Sequence, residues 1–154
     1  MDDEDAAVLA DIARYGCHVI HVLEEGGLPP FSYSVGITRA SSAPEVIVIG
    51  LARKLAHFIV NEYNARVRQG EAFKPGGYYA GFIGGFDVTF ERVDRRHYDD
   101  HFGWNLHLYG GDGFDVLQLV YPTTSSVWPW EPGAPASFKA WQPLLTASGR
   151  READ

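Results

Sequence analysis

Apolar positions recur along the chain with two different spacings, and each spacing predicts one kind of secondary structure. A stripe at helical spacing predicts a helix over residues 52–69 that ends at Gly70. Shorter helical patterns predict helices over residues 6–15, with Asp5 as the N-cap, and over residues 95–109. The apolar residues of the clearest stripe are Leu55, Phe58, Ile59, Tyr63 and Val67. Three helices of different length are therefore expected before the C-terminal tail.

Alternating and β-branched stretches predict six strands. They cover residues 17–23, 31–37, 45–50, 78–83, 86–93 and 114–121. Gly84 and Gly85 form a hairpin turn between the fourth and fifth strands, and residues 38–44 are predicted as a polar loop. The order of elements predicts an α+β fold with a mainly antiparallel sheet. Closure of this sheet into a partial barrel is the alternative. The long helix is expected to pack on this sheet, and an aromatic C-terminal tail with a short helix near residues 137–141 is expected to cross it.

The composition is that of one folded domain, and the net charge limits the classes of partner that it is expected to bind. Of 154 residues, 45% are hydrophobic and 21% are charged, so a single domain over residues 1–154 is expected, with flexible tails at 1–4 and 147–154. Thirteen Lys and Arg against 20 Asp and Glu give a net charge of −7, which argues against nucleic-acid and anionic-membrane partners. The sequence has no secretory-signal pattern, no membrane-spanning apolar run and a single cysteine, Cys17. A cytoplasmic protein is therefore predicted. Both a monomer and a homodimer are compatible with the sequence.

Polar residues follow one face of the predicted long helix. His57, Asn61, Asn64 and Arg68 are spaced i, i+4, i+7 and i+11. Gln118 interrupts an otherwise apolar strand, where a buried amide needs hydrogen-bond partners. We therefore predict an aromatic-lined ligand site, whose side chains must converge on one cavity. Its residues are Tyr33, His57, Asn61, Gln118, Tyr121, Trp128 and Trp130. The alternative is a solvated helix face, one satisfied core amide and tryptophans that fill the core.

Two further groups of residues suggest catalysis or metal binding. His97 and His101 are four residues apart, so on one helix both imidazoles could reach one metal ion, although no third ligand follows at a suitable spacing. A hydrogen-bonded or solvent-facing pair is the alternative. Cys17 could act as a nucleophile only with a base brought close by the fold, such as His57, because His21 lies about 13 Å along the same strand. A buried structural cysteine is the simpler interpretation.

Four segments occur in the order in which a known family carries them. They are Pro30–Ile37, Pro44–Leu51, Val116–Pro122 and Trp128–Trp130. With these segments the chain resembles the bacterial family called domain of unknown function 4262, over roughly residues 8–145. One departure follows Pro122, where Thr123 stands in place of the acidic residue usual in that family. The resemblance implies no established activity.

Two classes of function follow from these observations. The first is a non-catalytic module that binds a small planar ligand or a protein partner through the aromatic tail and the face with His57 and Asn61. The second is an enzyme, either a metal-assisted hydrolase with His97 and His101 or a flavin-dependent oxidoreductase. The flavin alternative rests on a fold-level likeness of Phe31–Ile37, followed by Val46–Ile49, to the split barrel of flavin reductases. Because the sequence contains no complete catalytic motif, the binding module is the leading hypothesis, and no cofactor is assigned.

Overall fold

The computed structural model describes residues 2–153, which form one six-stranded sheet with helices on both faces. The strands are β1 (His18–Val22), β2 (Phe31–Val35), β3 (Glu45–Ile49), β4 (Tyr79–Ile83), β5 (Phe86–Arg92) and β6 (Val116–Val120). The helices are α1 (Asp3–Tyr15), α2 (Ile37–Ser41), α3 (Arg53–Arg68), α4 (Tyr98–His101), α5 (Gly103–Tyr109) and α6 (Ala136–Trp141), and a 3₁₀ turn covers Arg95–His97. Among the described residues, no helix is long and apolar enough to cross a membrane.

The strand order is β1-β2-β3-β6-β5-β4, so β1 and β4 form the two edges of the sheet. All neighbouring strands are antiparallel except β3 and β6 in the middle, which are parallel. The predicted α+β fold with a mainly antiparallel sheet is confirmed. The barrel-like alternative is wrong, since the sheet stays open between its two edges. Helices on both faces bury the apolar side chains without closure of the sheet.

The sheet separates two hydrophobic layers, because successive side chains of a strand point to opposite faces. In β3, Val46 and Val48 pack in the layer that contains α3. Ile47 and Ile49 pack in the layer that contains side chains of α1 and α4 and is bordered by α5. We call these two sides the α3 face and the α5 face. All five residues of β3 are buried, as expected of a central strand covered on both sides.

The start of the chain differs in one detail from the sequence prediction. Helix α1 begins at Asp3, and its N-cap is Asp2, whose carboxylate accepts the N–H of Asp5 at 2.8 Å. The prediction of Asp5 as the N-cap was wrong, because the acidic residues before it are favourable in the first helical turn and extend the helix.

Two predictions, one about a loop and one about a helix, are corrected by the structure. The short helix α2 begins at Ile37 and occupies the first part of the predicted loop 38–44, and its first N–H groups, those of Ile37 and Thr38, are held by the carboxylate of Glu45. The predicted helix over residues 95–109 is divided into the 3₁₀ turn, α4 and α5. It breaks at Phe102, whose backbone leaves the helical region (φ −117°, ψ 46°) while its side chain is completely buried.

The C-terminal segment, residues 142–153, returns over the α5 face of the sheet. Gln118 fixes it there, because the Gln118 side chain donates to the carbonyl of Pro143 and accepts the N–H of Leu145, both at 2.9 Å. Farther along the segment, the carboxylate of Glu91 accepts the N–H groups of Glu152 and Ala153. The predicted flexibility of residues 1–4 and 147–154 stays a prediction, and Met1 and Asp154 lie outside the described residues.

Candidate functional site

Two clefts contain the side chains of functional interest. The first, here called the tryptophan cleft, lies between the loop that follows β6 and the C-terminal segment, and its volume is about 710 Å³. It is lined by Pro129, Trp130, Lys139, Gln142, Pro143, Leu144, Gly149, Arg150 and Arg151. This volume falls within the range of small-molecule sites, about 300–1,000 Å³.

Aromatic rings stack beside the tryptophan cleft. The indoles of Trp128 and Trp130 are parallel within 5°, with their centroids 5.2 Å apart, and Tyr78 packs against Trp128. The guanidinium of Arg151 lies 4.5 Å from the centroid of the Trp130 ring and also donates to the hydroxyl of Tyr78. These contacts hold Trp130 as a rigid, half-buried wall of the cleft.

The charged residues that line the tryptophan cleft are all cations, although the protein is acidic. Lys139, Arg150 and Arg151 line it, and none of its lining residues within the described chain is acidic. The whole chain carries a net charge of −7. The local cluster of cations therefore makes this cleft a place where an anion is favoured.

The floor of the tryptophan cleft is held by buried amides. The side chain of Gln142 accepts the N–H of Tyr121 and donates to its carbonyl, each at 3.0 Å. Gln118 holds the next residues of the same segment from below. The cleft is therefore supported by hydrogen bonds to Gln118 of β6 and to Tyr121, which directly follows that strand, as well as by the surface loop.

The second cleft, here called the edge cleft, lies beside the edge strand β1, between α1 and α3, and its volume is about 450 Å³. All four polar residues predicted on one helix face, His57, Asn61, Asn64 and Arg68, line it. The remaining lining residues are Asp11, Tyr15, Cys17, His18, Val19 and Ala65. The helical spacing thus identified one wall of a real cleft.

Three side chains form a hydrogen-bonded chain near the edge cleft. Nδ1 of His21 is 2.6 Å from the hydroxyl of Ser32, and Nε2 of His21 is 3.1 Å from Nδ1 of His57. Burial, followed by the positive charge of Arg53 and the proximity of His57, lowers the pKa of His21 to about 4. His21 is therefore a neutral imidazole at pH 7. Ser32 is only 4% exposed, which does not favour it as a nucleophile for an external substrate.

Cys17 is a protonated, buried thiol. It is 3% exposed, and burial, assisted by the negative charge of Glu45, raises the pKa of the Cys17 thiol to about 12. A thiol that stays protonated is a poor nucleophile. The neighbouring His18 is engaged by Asp11, with 2.7 Å between Nδ1 and the carboxylate oxygen. This geometry favours the structural interpretation of Cys17.

The predicted site residues do not converge on one cavity, so that expectation was wrong. Tyr33 packs in the hydrophobic layer of the α5 face, and Gln118 points to the same face because its neighbours in β6 belong to the other layer. His57 and Asn61 line the edge cleft instead. Tyr121 is buried on the α3 face, where its hydroxyl donates to the carbonyl of Ile49. Sequence spacing cannot show on which face of a sheet a strand residue lies.

The two tryptophans of the predicted site are placed differently from one another. Trp130 lines the tryptophan cleft, whereas Trp128 stacks behind it and borders a smaller depression together with Tyr78. Whether these side chains, or any of the predicted set, bind a ligand stays a prediction.

The pair His97 and His101 is engaged in local contacts. His101 uses Nδ1 to bond the carbonyl of His97 at 3.0 Å, and Nε2 of His97 accepts from Arg96 at 3.3 Å. His97 ends the 3₁₀ turn and directly precedes α4, which contains His101, and the centroids of the two rings are 6.3 Å apart. Within residues 2–153, no group of three or more His, Cys, Asp or Glu side chains is arranged to hold a metal ion.

Sequence reasoning missed several residues of the tryptophan cleft. Lys139, Arg150 and Arg151 supply its charge, but two of them lie in the stretch predicted to be flexible. Gln142 supplies part of its floor, and its position between Trp141 and Pro143 in an aromatic tail was the available signal for a buried amide. The adjacent basic pair near the C-terminus was visible, but only the fold places it beside Trp130.

Comparisons with known proteins bear on the family. Neither the comparison with curated proteins nor the comparison with solved structures gives a match. The sequence model of the family described as "Domain of unknown function (DUF4262)" matches residues 11–135. The matched range includes the whole edge cleft and Trp130, whereas the C-terminal segment lies outside it. Because the match covers most of the 154 residues, the chain belongs to the DUF4262 family.

Proposed function

We propose that this protein is a non-catalytic module that binds a small, planar, anionic molecule in the tryptophan cleft. The observation that carries this proposal is the meeting of Trp130 with Lys139, Arg150 and Arg151 around one cleft of an otherwise acidic chain. As part of the same proposal, we place the protein in the cytoplasm, where a single reduced cysteine is typical.

The chemistry of the lining selects the class of ligand. Pro129, Pro143 and Leu144 supply apolar surface, and the indole of Trp130 supplies a flat aromatic one. A planar ring can stack on that indole, while a carboxylate or phosphate group on the ring can pair with Arg150 or Lys139. A ligand that has a planar ring and an anionic group would contact both the apolar and the cationic residues of the cleft.

Arg151 has a specific part in this proposal. Its guanidinium already lies over the Trp130 ring, so it can donate to an anion while it keeps the indole in place. Because the Trp130 ring holds this guanidinium in place, less side-chain freedom would be lost on binding.

The two enzyme alternatives gain no support from the geometry. The flavin alternative was based on a likeness to a split barrel, and the sheet is open. The hydrolase alternative needs a metal site at His97 and His101, and within residues 2–153 no group of three or more His, Cys, Asp or Glu side chains is arranged to hold a metal ion. Neither alternative is proposed further.

Isothermal titration calorimetry with a matched pair of probes tests the proposed function. 2-Naphthoate has a planar ring and a carboxylate, and 2-naphthamide has the same ring without the charge. We expect saturable 1:1 binding of 2-naphthoate, at least fivefold weaker binding of 2-naphthamide, and weaker binding of 2-naphthoate at higher salt. Equal affinities for the two probes, or no binding of 2-naphthoate at millimolar concentration, would contradict the proposal.

A further inference from the structure

Glu91 is a buried carboxylate on the α5 face of the sheet. Its side chain is 1% exposed, and the residue lies directly opposite Gln118 in the pairing of β5 with β6. One of its oxygens, Oε1, accepts the N–H groups of Glu152 and Ala153 at 2.6 and 3.2 Å. These bonds attach the end of the C-terminal segment to β5, as the bonds of Gln118 attach its beginning to β6.

Packing alone does not explain a carboxylate at this position. A buried charge is unfavourable unless hydrogen bonds or ion pairs compensate for the loss of water. Within residues 2–153, Glu91 forms no ion pair, and its second oxygen, Oε2, is buried without a hydrogen-bond partner. The two bonds to the C-terminal segment are charge-assisted, so they are the contacts that offset this cost. Glu91 therefore serves as an anchor for that segment.

The two anchors enclose the arginines of the tryptophan cleft. Gln118 fixes the chain at residue 145, and Glu91 fixes it at residue 152. Arg150 and Arg151 lie between these points, and the carbonyl of Arg150 accepts the hydroxyl of Thr146 at 2.6 Å. The position of both guanidinium groups therefore depends on both ends of this stretch being held.

The two sides of the tryptophan cleft come from different parts of the sequence. The family model matches residues 11–135, which include Pro129 and Trp130 of the flat apolar side. The charged lining residues, Lys139, Arg150 and Arg151, all lie beyond residue 135. Binding of a ring and binding of its anionic group can therefore be separated by a change that acts on the C-terminal segment.

We propose that Glu91 is a positioning residue that sets the selectivity of the tryptophan cleft for anions. By holding the chain directly after Arg151, it keeps that guanidinium over the Trp130 ring. A guanidinium that is already in place loses less freedom when it pairs with an anion. The inference rests on the proposed function and adds that selectivity is controlled by a buried side chain of the sheet that does not itself line the cleft.

Three variants separate the anchor from general effects of burial. Glu91→Leu removes the acceptor, whereas Glu91→Gln keeps an oxygen that can accept the same two N–H groups. Thr89→Val is the matched control, because Thr89 is buried two residues earlier in β5 and its hydroxyl has no partner within the described chain. In the free protein, we expect Glu91→Leu to speed amide hydrogen exchange of Glu152 and Ala153 at least tenfold and to shift the indole N–H signal of Trp130. The other two variants should change the exchange less than threefold.

Calorimetric titration of the same variants with 2-naphthoate and 2-naphthamide tests the selectivity. We expect wild-type protein, Glu91→Gln and Thr89→Val to bind 2-naphthoate at least fivefold more tightly than 2-naphthamide. Glu91→Leu should bind the two probes within twofold of each other, while its affinity for 2-naphthamide changes less than threefold, because Trp130 still offers its ring.

Two results overturn this inference alone. One is a fivefold preference for 2-naphthoate that survives in Glu91→Leu, and the other is an equal loss of affinity for both probes, which would indicate a merely structural role. Unchanged exchange of Glu152 and Ala153 in Glu91→Leu overturns it as well, because the anchor would then be absent. Failure of the proposed function has a different signature, since the wild-type protein itself would bind the two probes equally or not at all, and the inference would fail with it.

Discussion

Replacement of Gln118 by leucine should release the C-terminal segment from the sheet. Gln118 is completely buried, and its amide makes two hydrogen bonds of 2.9 Å, to Pro143 and Leu145. Leucine keeps a similar volume but removes both bonds and leaves a carbonyl and an N–H unpaired in the interior. Each stranded group costs about 1–3 kcal/mol, so the two together cost about 2–6 kcal/mol while the segment stays on the sheet. Release of the segment into solvent reduces this cost.

Two measurements distinguish global loss of stability from detachment of the segment. Urea denaturation gives the free energy of unfolding, and hydrogen exchange reports whether the N–H of Leu145 remains protected. We expect both a lower free energy of unfolding and at least a tenfold faster exchange of Leu145 in Gln118→Leu. Thr89→Val is the matched control, because Thr89 is also buried in the sheet and its hydroxyl has no partner among residues 2–153. That control should be neutral or stabilising by about 1 kcal/mol. A loss below about 0.5 kcal/mol in Gln118→Leu, with Leu145 still protected, would refute the reasoning.

Three further predictions concern buried titratable groups. Glu45→Gln should lower the free energy of unfolding, measured by urea denaturation, by at least about 3 kcal/mol. The reason is that the new amide NH₂ would face hydrogen-bond donors, which include the hydroxyl of Tyr109. Tyr109→Phe, which removes only one of these donors, should lower it less. The folded pKa of His21, about 4, lies below the unfolded value of 6.5, so the native state binds fewer protons and stability is lost as pH falls from 6.5 to 4. Because the ring is only half-buried, this loss should be about 1 kcal/mol, and His21→Gln should lack it. Cys17 should react with a disulfide reagent at pH 8 on the order of a thousandfold more slowly in the native protein than in urea, and similar rates would show an accessible thiolate.

The elements with strong periodicity could be predicted from the sequence. The apolar stripe predicted a helix over residues 52–69, and α3 covers Arg53–Arg68. The alternation after Gly85 predicted a strand over residues 86–93, and β5 covers Phe86–Arg92. These patterns are local, because they depend only on the spacing between residues that are close together in the sequence. The face of α3 that carries His57 and Asn61 was predictable for the same reason.

Long-range relations between elements could not be predicted in this way. The parallel pair of β3 and β6 joins residues about 70 positions apart, and no local pattern encodes that contact. The helical pattern of residues 95–109 did not reveal the break at Phe102, where burial of the side chain outweighs continuity of the helix. Arg151 lies beside Trp130 only because Gln118 and Gln142 hold the intervening chain against β6.

The most direct test of the central claim is a titration of ¹⁵N-labelled protein with 2-naphthoate, observed through the indole N–H signals of its four tryptophans. The stacked pair Trp128 and Trp130 lies at the tryptophan cleft, whereas Trp104 packs on the α5 face beside Tyr33 of β2 and does not line the cleft. We expect saturable shifts of the Trp130 signal, with smaller shifts of Trp128, an unchanged Trp104 signal, and at least fivefold weaker binding in Arg151→Gln. Unchanged indole signals at saturating 2-naphthoate, or a shift of Trp104 in place of Trp130, would contradict the account.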